Sequence, residues 1–278
     1  MKIVTFDPLP GRNVRLTGYL HEQLEDQPGR DKRPCVLVCP GGAYRFLSPR
    51  EADPIAFQFF TRGYQVFLLF YSVSGEAYPA GPALHFNPLM DASRAMMLIR
   101  DHSEEYHIDP NKIAVCGFSA GGHLAASLAI LWNTPQLKEH MDTENGKNRP
   151  NAAILCYPVI SSGEFAHRES LRNLTGDDPE ELRYFSLENQ ITSDVPPVFL
   201  WHTVTDDAVP VENSLMLASA LRRQNIPMEC HFYGEGPHGI SLANKETSAG
   251  NFLYNHPHEA TWMPLCIDWL DRLFGFEK

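Results

Sequence analysis

The chain has 278 residues, of which 43% are hydrophobic and 21% are charged, the balance of an ordinary globular protein. Its formal net charge is -11 and no stretch is rich in lysine and arginine, which argues against a nucleic-acid partner. No apolar run is long enough to cross a bilayer, and the first residues lack the apolar core of a signal peptide. We therefore expect no membrane partner, a cytoplasmic location and, at this length, a single domain over residues 1–278.

The six cysteines are scattered along the chain, and most lie in or beside apolar runs typical of strands. In such positions a free cysteine behaves as a small hydrophobic residue. Their spacing forms neither a disulfide framework nor a metal-binding CxxC motif. We predict buried thiols at Cys35, Cys39, Cys116, Cys156, Cys230 and Cys266.

The first twenty residues alternate apolar and polar side chains, which predicts two antiparallel edge strands joined at Pro10-Gly11. Residues 35–39 then form a continuous apolar run, typical of a strand that is buried on both faces of a parallel sheet. Apolar residues at helical spacing over residues 54–62 and a second apolar run over 65–71 complete a β-α-β unit.

A turn of small residues, Pro40 to Tyr44, follows the first buried strand. Its backbone N–H groups can approach a ligand closely because the side chains are small. After a loop over residues 74–86, the Asn87-Pro88 pair marks the start of a helix. Residues 107–112 are predicted as a turn that leads into the next strand.

Residues 113–126 predict a strand, a sharp turn and a helix, with Gly-x-Ser-x-Gly at the turn. In such an elbow the glycines allow a turn so tight that the central serine is held in a strained conformation. Gly117 and Gly121 leave room for the turn. Ser119 is therefore the candidate nucleophile.

The second half of the chain supplies further strands at residues 152–157, 197–202 and 227–233, and helices at 214–224 and 260–274. Between the first two of these strands lies a charged segment, residues 161–194, which contains short helix-compatible pieces. We predict that it forms a small cap over the carboxyl ends of the strands, where ligands bind in open α/β sheets. A plain surface excursion is the alternative.

A serine hydroxyl needs a neighbouring base, and that base needs an orienting acid. Asp206 and Asp207 follow one buried strand, and His238 follows the last strand. The order Ser, Asp, His is the order of elbow-type enzymes, and all three groups are expected at one edge of the sheet. Either aspartate fits this reasoning. His256 and His258 could supply two metal ligands but lack a third.

Acyl transfer also needs donors that face the developing oxyanion. The N–H of Ala120, at the start of the elbow helix, is one candidate, and those of Gly42 and Ala43 are the others. His123, inside the elbow helix, is expected to be a hydrogen-bonded structural residue. The role of His202 is left open.

Together these residues resemble the α/β-hydrolase superfamily, and more narrowly its bacterial esterase/lipase group related to acetyl-xylan, carbohydrate and feruloyl-type esterases. The matching pieces lie at residues 39–44, 117–124, 199–214 and 236–239. In enzymes of this kind the acid stands three residues before a Val-Pro pair, which favours Asp206 over Asp207. Where lipase-like relatives begin the oxyanion turn with His-Gly-Gly-Gly, this chain has Pro-Gly-Gly-Ala.

The resemblance implies a serine esterase that cleaves short-chain carboxylic esters, acetylated sugars among them, through an acyl-enzyme and without a cofactor or metal. Tyr44, Phe46 and Phe86, which lie in candidate loops, are then candidates to stack on a sugar, with packing as the alternative role of each. A serine peptidase of the same fold and a catalytically silent binding protein are the alternatives. Homo-oligomerisation is left open.

Overall fold

A computed structural model describes residues 1–23, 31–75 and 82–276 of the chain. Eight strands and eight α-helices occur in these residues. The strands are β1 Lys2–Phe6, β2 Arg15–Leu20, β3 Arg33–Cys39, β4 Gln65–Phe70, β5 Ile108–Phe118, β6 Ala152–Cys156, β7 Val198–Thr203 and β8 Met228–Tyr233. The helices are α1 Asp53–Thr61, α2 Asn87–Asp101, α3 Ala120–Leu131, α4 Pro135–His140, α5 Arg168–Thr175, α6 Pro179–Tyr184, α7 Glu212–Arg223 and α8 Trp262–Phe274.

All eight strands form one sheet in the order β1-β2-β4-β3-β5-β6-β7-β8. The pairs β1–β2 and β2–β4 are antiparallel, and every other neighbouring pair is parallel. This confirms the predicted sheet, mostly parallel with antiparallel strands at its N-terminal edge. The carboxyl ends of the parallel strands consequently meet at one edge.

The core lies on both faces of the sheet, as the continuous apolar run of β3 predicts. Along that strand Leu37 belongs to the apolar cluster of one face, while Val36 and Val38 belong to the cluster of the other. Both clusters are completed by helices, α2 and α3 on the first face and α1 and α8 on the second. Burial on two faces explains why an alternating polar pattern is absent from these strands.

The thiols are all free, as predicted from their spacing. Five are buried, and Cys230 on the edge strand β8 is partly buried. Desolvation raises the pKa of Cys39 above its ordinary range, so this thiol remains protonated.

One local prediction was wrong. Residues 107–112 were expected to form a turn, but β5 begins at Ile108, which pairs with Arg33 of β3. The register of this pairing shifts between Arg33 and Cys35. The irregular pairing accommodates Pro110, whose missing N–H makes it a poor residue for a regular strand.

Candidate active site

The candidate site lies at the edge where the parallel strands end. Ser119 follows the last residue of β5, Asp206 lies in the loop after β7, and His238 lies in the loop after β8. Since these strands run parallel, their following loops lie on the same side of the sheet. The topology thus brings together three residues that are far apart in sequence.

The elbow at Ser119 depends on a close approach of α3 to the end of β3. Ser119 has φ 54° and ψ -118°, a backbone conformation that costs a non-glycine residue energy. A Cβ on Gly121 would lie 2.2 Å from the carbonyl oxygens of both Cys39 and Pro40. A Cβ on Gly117 would lie 2.0 Å from the carbonyl oxygen of Gly121. Only glycine fits at both places.

Ser119, His238 and Asp206 form a chain of two short hydrogen bonds. The Oγ of Ser119 lies 2.7 Å from Nε2 of His238, and Nδ1 of His238 lies 2.7 Å from Oδ2 of Asp206. An ionised carboxylate only accepts hydrogen bonds, so Nδ1 carries the proton. Nε2 is then free to accept the proton of the Ser119 hydroxyl, which is the geometry of an activated nucleophile.

The carboxylate of Asp206 is saturated with donors. Its Oδ1 accepts the backbone N–H groups of Ala208 and Val209 at 3.0 and 2.8 Å, and its Oδ2 accepts from His238 and from Nε2 of His202 at 3.1 Å. Burial by itself would raise the pKa of Asp206, but the hydrogen bonds from the two histidines outweigh it and hold this pKa well below its ordinary value. The side chain is therefore an oriented anion.

His202 is the second histidine on this carboxylate, a role that the sequence left open. It is fully buried, and its Nε2–H faces both Asp206 and the carbonyl oxygen of Val209, 3.0 Å away. Its Nδ1 accepts from the hydroxyl of Ser214 at 2.7 Å. The sequence feature that could have indicated this role is the position of His202 at the end of β7, four residues before Asp206.

Asp207 does not pair with the imidazole of His238. Among the described residues, its Oδ1 accepts the backbone N–H of His238, at 3.3 Å, and not the ring. The residue also lines the pocket that contains Ser119. The geometry therefore selects Asp206 as the partner of the ring.

The turn after β3 carries candidate donors for an oxyanion. Gly42, Ala43 and Tyr44 have φ values of 129°, 55° and 58°, three consecutive residues in the left-handed half of the map. Gly42 and Ala43 line the same pocket as Ser119. Ala120 is the first residue of α3, so its N–H has no acceptor within that helix. Two of the predicted donors thus share a pocket with Ser119, and the third is its neighbour in the chain.

The pocket over Ser119 has a volume of about 380 Å³, and both charged and apolar groups form its wall. Arg45 forms an ion pair with Glu169 at 3.2 Å across it, and the guanidinium of Arg50 lies 4.4 Å from the centre of the Tyr254 ring. Its lining comprises Gly42, Ala43, Arg45, Phe46, Ser48, Arg50, Glu51, Ser119, His167, Glu169, Asp207, Ala208, Pro237, His238, Gly239 and Tyr254.

Residues 161–194 contribute part of the wall of this pocket. His167 and Glu169 belong to its lining. Nδ2 of Asn173 donates to the carbonyl oxygen of Ala43 at 2.8 Å, which connects the segment to the turn after β3. The segment therefore contacts the site directly.

Two of the three aromatic residues predicted to contact a substrate lie elsewhere, which corrects that expectation. Tyr44 is 1% exposed, and its hydroxyl donates to Nδ1 of His123 at 2.8 Å behind the turn. Phe86 is buried in a separate aromatic group, with its ring stacked on His140 at 4.2 Å. Only Phe46 lines the pocket.

His123 is a structural residue, as expected. Its Nε2–H donates to the carbonyl oxygen of Phe185 at 2.9 Å. Burial lowers the pKa of His123 to about 4, so the ring is neutral and can accept from Tyr44 at its other nitrogen. This imidazole joins α3, the turn after β3 and residues 161–194.

A larger pocket, of about 610 Å³, lies near Trp132 and Gly146, but no serine, cysteine or histidine occurs in the lining described for it. In the part of the chain that the structure describes, no three His, Cys, Asp or Glu side chains are grouped to hold a metal. His256 instead uses Nε2 on the carbonyl oxygen of Leu253. No helix among the described residues is both long and apolar enough to cross a membrane.

Comparison with known proteins places the chain in a family. The BD-FAE family model matches residues 24–221. The chain is 40% identical to endo-1,4-beta-xylanase B of Butyrivibrio fibrisolvens over 79% of its own length and 34% of that protein. It is 30% identical to an acetylxylan esterase of Xylanibacter ruminicola over 74% of its length and 41% of that protein. The chain thus spans less than half the length of these two relatives.

The fold recurs in solved structures. The crystal structure of an acetyl ester-xyloside bifunctional hydrolase from Caldicellulosiruptor lactoaceticus superposes with a TM-score of 0.80 at 37% identity. The likeness covers 98% of this chain and 92% of that one. The predicted α/β-hydrolase fold is confirmed.

The close approach at the elbow generates a stability prediction. We expect Gly121→Ala to lower the free energy of unfolding by about 3 kcal/mol, because the backbone oxygens that its Cβ would meet cannot move without displacing β3. Gly234→Ala is the matched control, since no atom of the described residues, its two chain neighbours apart, lies within 4 Å of its Cβ position. Urea unfolding measures both, and equal stability of the two variants would contradict the packing argument.

The low pKa of Asp206 generates a pH prediction. A carboxyl whose pKa is lower in the folded state contributes stability above its unfolded pKa, about 4, and this contribution is lost as the pH falls toward the folded pKa. We expect the free energy of unfolding of the wild type to fall between about pH 5 and pH 2, and that of Asp206→Asn to fall less. Urea unfolding across this range tests it, with Asp207→Asn as the control that follows the wild type. Parallel slopes for the wild type and Asp206→Asn would refute it.

Proposed function

The chain belongs to the BD-FAE family, and from that premise and the geometry of its site we propose that it is a serine ester hydrolase that works through an acyl-enzyme. The observation that carries the proposal is the chain of two 2.7 Å hydrogen bonds from Ser119 through His238 to Asp206. The names of the similar proteins, an acetylxylan esterase and an acetyl ester-xyloside bifunctional hydrolase among them, support ester cleavage.

In the proposed mechanism Ser119 Oγ attacks the ester carbonyl carbon while its proton passes to Nε2 of His238. The negative charge that develops on the carbonyl oxygen is stabilised by the N–H groups of Gly42, Ala43 and Ala120. His238 then gives the proton to the departing alcohol, and the acyl group remains on Ser119. Water, deprotonated by the same imidazole, then attacks the acyl carbon. The bond to Ser119 Oγ breaks, Oγ takes the proton from His238, and the acid is released. Asp206 stabilises the imidazolium in both halves of the reaction.

We propose short-chain esters, including acetylated sugars, as the substrates. The pocket of about 380 Å³ is small, and its wall carries two arginines, three carboxylates and only a few large apolar side chains. Such a wall suits a hydroxylated alcohol better than a long hydrocarbon chain, because burying charged groups against hydrocarbon without new partners is costly. Phe46 lines this pocket, and we propose that it contacts the bound alcohol.

Residues 161–194 are proposed to act as a cap that limits which alcohol enters. Their support is the lining contributed by His167 and Glu169 and the hydrogen bond from Asn173 to Ala43. The ion pair between Arg45 and Glu169 crosses from the turn after β3 to the cap. We further propose that the cap and the sheet form one domain.

The nucleophile can be tested directly. We expect Ser119→Ala to lower kcat/KM for p-nitrophenyl acetate by about 10³-fold or more, because no other group replaces the attacking oxygen. A fluorophosphonate probe should label the wild type and not this variant. Ser127→Ala is the matched control, because its buried hydroxyl lies in α3, the helix that follows Ser119, and has no hydrogen-bond partner among the described residues.

Other results would favour the other functions. Cleavage of peptide amides in place of esters would indicate a serine peptidase. A wild-type protein that neither cleaves esters nor reacts with the probe would indicate a binding protein. Full ester hydrolysis by Ser119→Ala would refute the assignment of the nucleophile.

The two neighbouring aspartates give a second test. We expect Asp206→Asn to lower kcat by about 10³- to 10⁴-fold, because an amide cannot stabilise the imidazolium and presents a donor to an imidazole that needs an acceptor. The kcat of Asp207→Asn should stay within about tenfold of that of the wild type. Among the described residues that carboxylate accepts a hydrogen bond from the backbone N–H of His238 and not from its ring. Steady-state kinetics normalised to probe-labelled sites would reveal the opposite ranking if Asp207 were the acid.

A further inference from the structure

Glu51 is a buried carboxylate at the border of the pocket that the proposed mechanism does not use. It ends the short 3-10 turn Pro49–Glu51, ten residues after Gly41, and is 2% exposed. No Lys, Arg or His nitrogen lies within 4.0 Å of it among the residues that the structure describes. A buried carboxylate without a cation is costly unless hydrogen bonds replace its water. The hydrogen bonds of its two carboxylate oxygens therefore indicate the role of Glu51.

The first contact is with the backbone of the turn after β3, residues 40–44, which we name the oxyanion turn because it carries two of the proposed donors. Oε2 of Glu51 accepts the N–H of Gly41 at 2.9 Å, and the carbonyl oxygen of Gly41 accepts the N–H of Ser48, also at 2.9 Å. Both peptide units that flank Gly41 are thereby fixed. In a trans peptide the N–H points opposite to the carbonyl, so the N–H of Gly42 is turned away from Ser48. The hydrogen bonds of Gly41 therefore determine the direction of the Gly42 N–H.

The second contact is with the loop that follows β8 and carries His238, which we name the histidine loop. Oε1 of Glu51 accepts from the hydroxyl of Tyr157 at 2.7 Å, and the same hydroxyl accepts the N–H of Ser241 at 3.0 Å. Burial, together with the charge of Glu51, raises the pKa of Tyr157 well above its ordinary value, so the phenol retains the proton that it donates. The Tyr157 ring also meets the imidazole of His238 edge to face, with centroids 5.2 Å apart.

We propose that Glu51 is a positioning residue that fixes the oxyanion turn relative to the histidine loop, through Gly41 on one side and Tyr157 on the other. The inference rests on the proposed esterase function. Donors accelerate the reaction only if they already face the place where the negative charge develops. Glu51 does not exchange a proton with the substrate in this role. Its removal weakens binding of the transition state and leaves binding of the ground-state ester nearly unchanged.

Three variants separate this role from simple structural support. We expect Glu51→Ala to lower kcat by about 10- to 100-fold with KM within about threefold, after normalisation to fluorophosphonate-labelled sites. Glu51→Gln should lose less, because its amide oxygen can still accept the N–H of Gly41. Tyr157→Phe should also lower kcat. The double variant Glu51→Gln/Tyr157→Phe should lose less than the product of the two single losses, because both interrupt the same connection.

A transition-state analogue gives a readout that stability alone does not move. A trifluoromethyl ketone forms a tetrahedral adduct with the serine, whose oxyanion occupies the place faced by the turn. Its Ki should rise by the same factor as kcat/KM falls in each variant. Asp271→Asn is the matched control, since that carboxylate also accepts from a tyrosine hydroxyl, that of Tyr64, but lies outside the cap and the pocket lining. Its kcat and Ki should equal those of the wild type.

The outcomes distinguish this inference from the function on which it rests. Variants at Glu51 and Tyr157 that lower the melting temperature but retain wild-type kcat and Ki per labelled site would refute the positioning role and leave the esterase proposal intact. If Glu51→Ala does not fold, Glu51→Gln and Tyr157→Phe decide the matter by the same criterion. A wild type without esterase activity or probe labelling would refute both proposals.

Discussion

The close approach of α3 to the end of β3 is the constraint on which the site depends. With glycines at 117 and 121, the helix begins so near the sheet that Ser119 must adopt φ 54°. Hydrogen bonds then fix its backbone: its N–H donates to the carbonyl oxygen of Cys156 at 3.0 Å, and its own carbonyl accepts the N–H groups of His123 and Val159. A conformation that costs about 1–3 kcal/mol persists because its surroundings leave no alternative. The strained backbone directs the hydroxyl toward His238.

The orientation of the Asp206 carboxylate is determined by hydrogen bonds, whereas that of Ser119 is determined by steric contacts. The sheet brings the residue to the correct edge, but four donors determine its charge and direction. Two of them are backbone N–H groups of its own loop, so the carboxylate also shapes the turn that carries it. The other two are imidazoles. Because His202 is anchored by Ser214 on α7, the orientation of Asp206 is tied to a helix on the face of the sheet.

Much of this architecture could be predicted from sequence because it follows from local patterns. Continuous apolar runs mark strands that are buried on two faces, and the order of Ser119, Asp206 and His238 along the chain places them at one sheet edge. Tyr44 and Phe86 could not be assigned in this way. A loop residue's side chain turns toward whichever partner the tertiary structure offers, here His123 and His140. Periodicity carries no information about such partners.

The turn after β3 combines both kinds of information. Its sequence names the candidate donors, but Ala43 and Tyr44 adopt positive φ without being glycine, at a cost of about 1–2 kcal/mol each. Contacts from distant segments offset this cost: Asn173 donates to the carbonyl of Ala43, and the Tyr44 hydroxyl donates to His123. Glu51 adds the contact on the preceding peptide. Since these partners come from different parts of the chain, the direction of the donors is a property of the whole fold. A motif of small residues therefore predicts an oxyanion turn, whereas its surroundings determine the direction of its N–H groups.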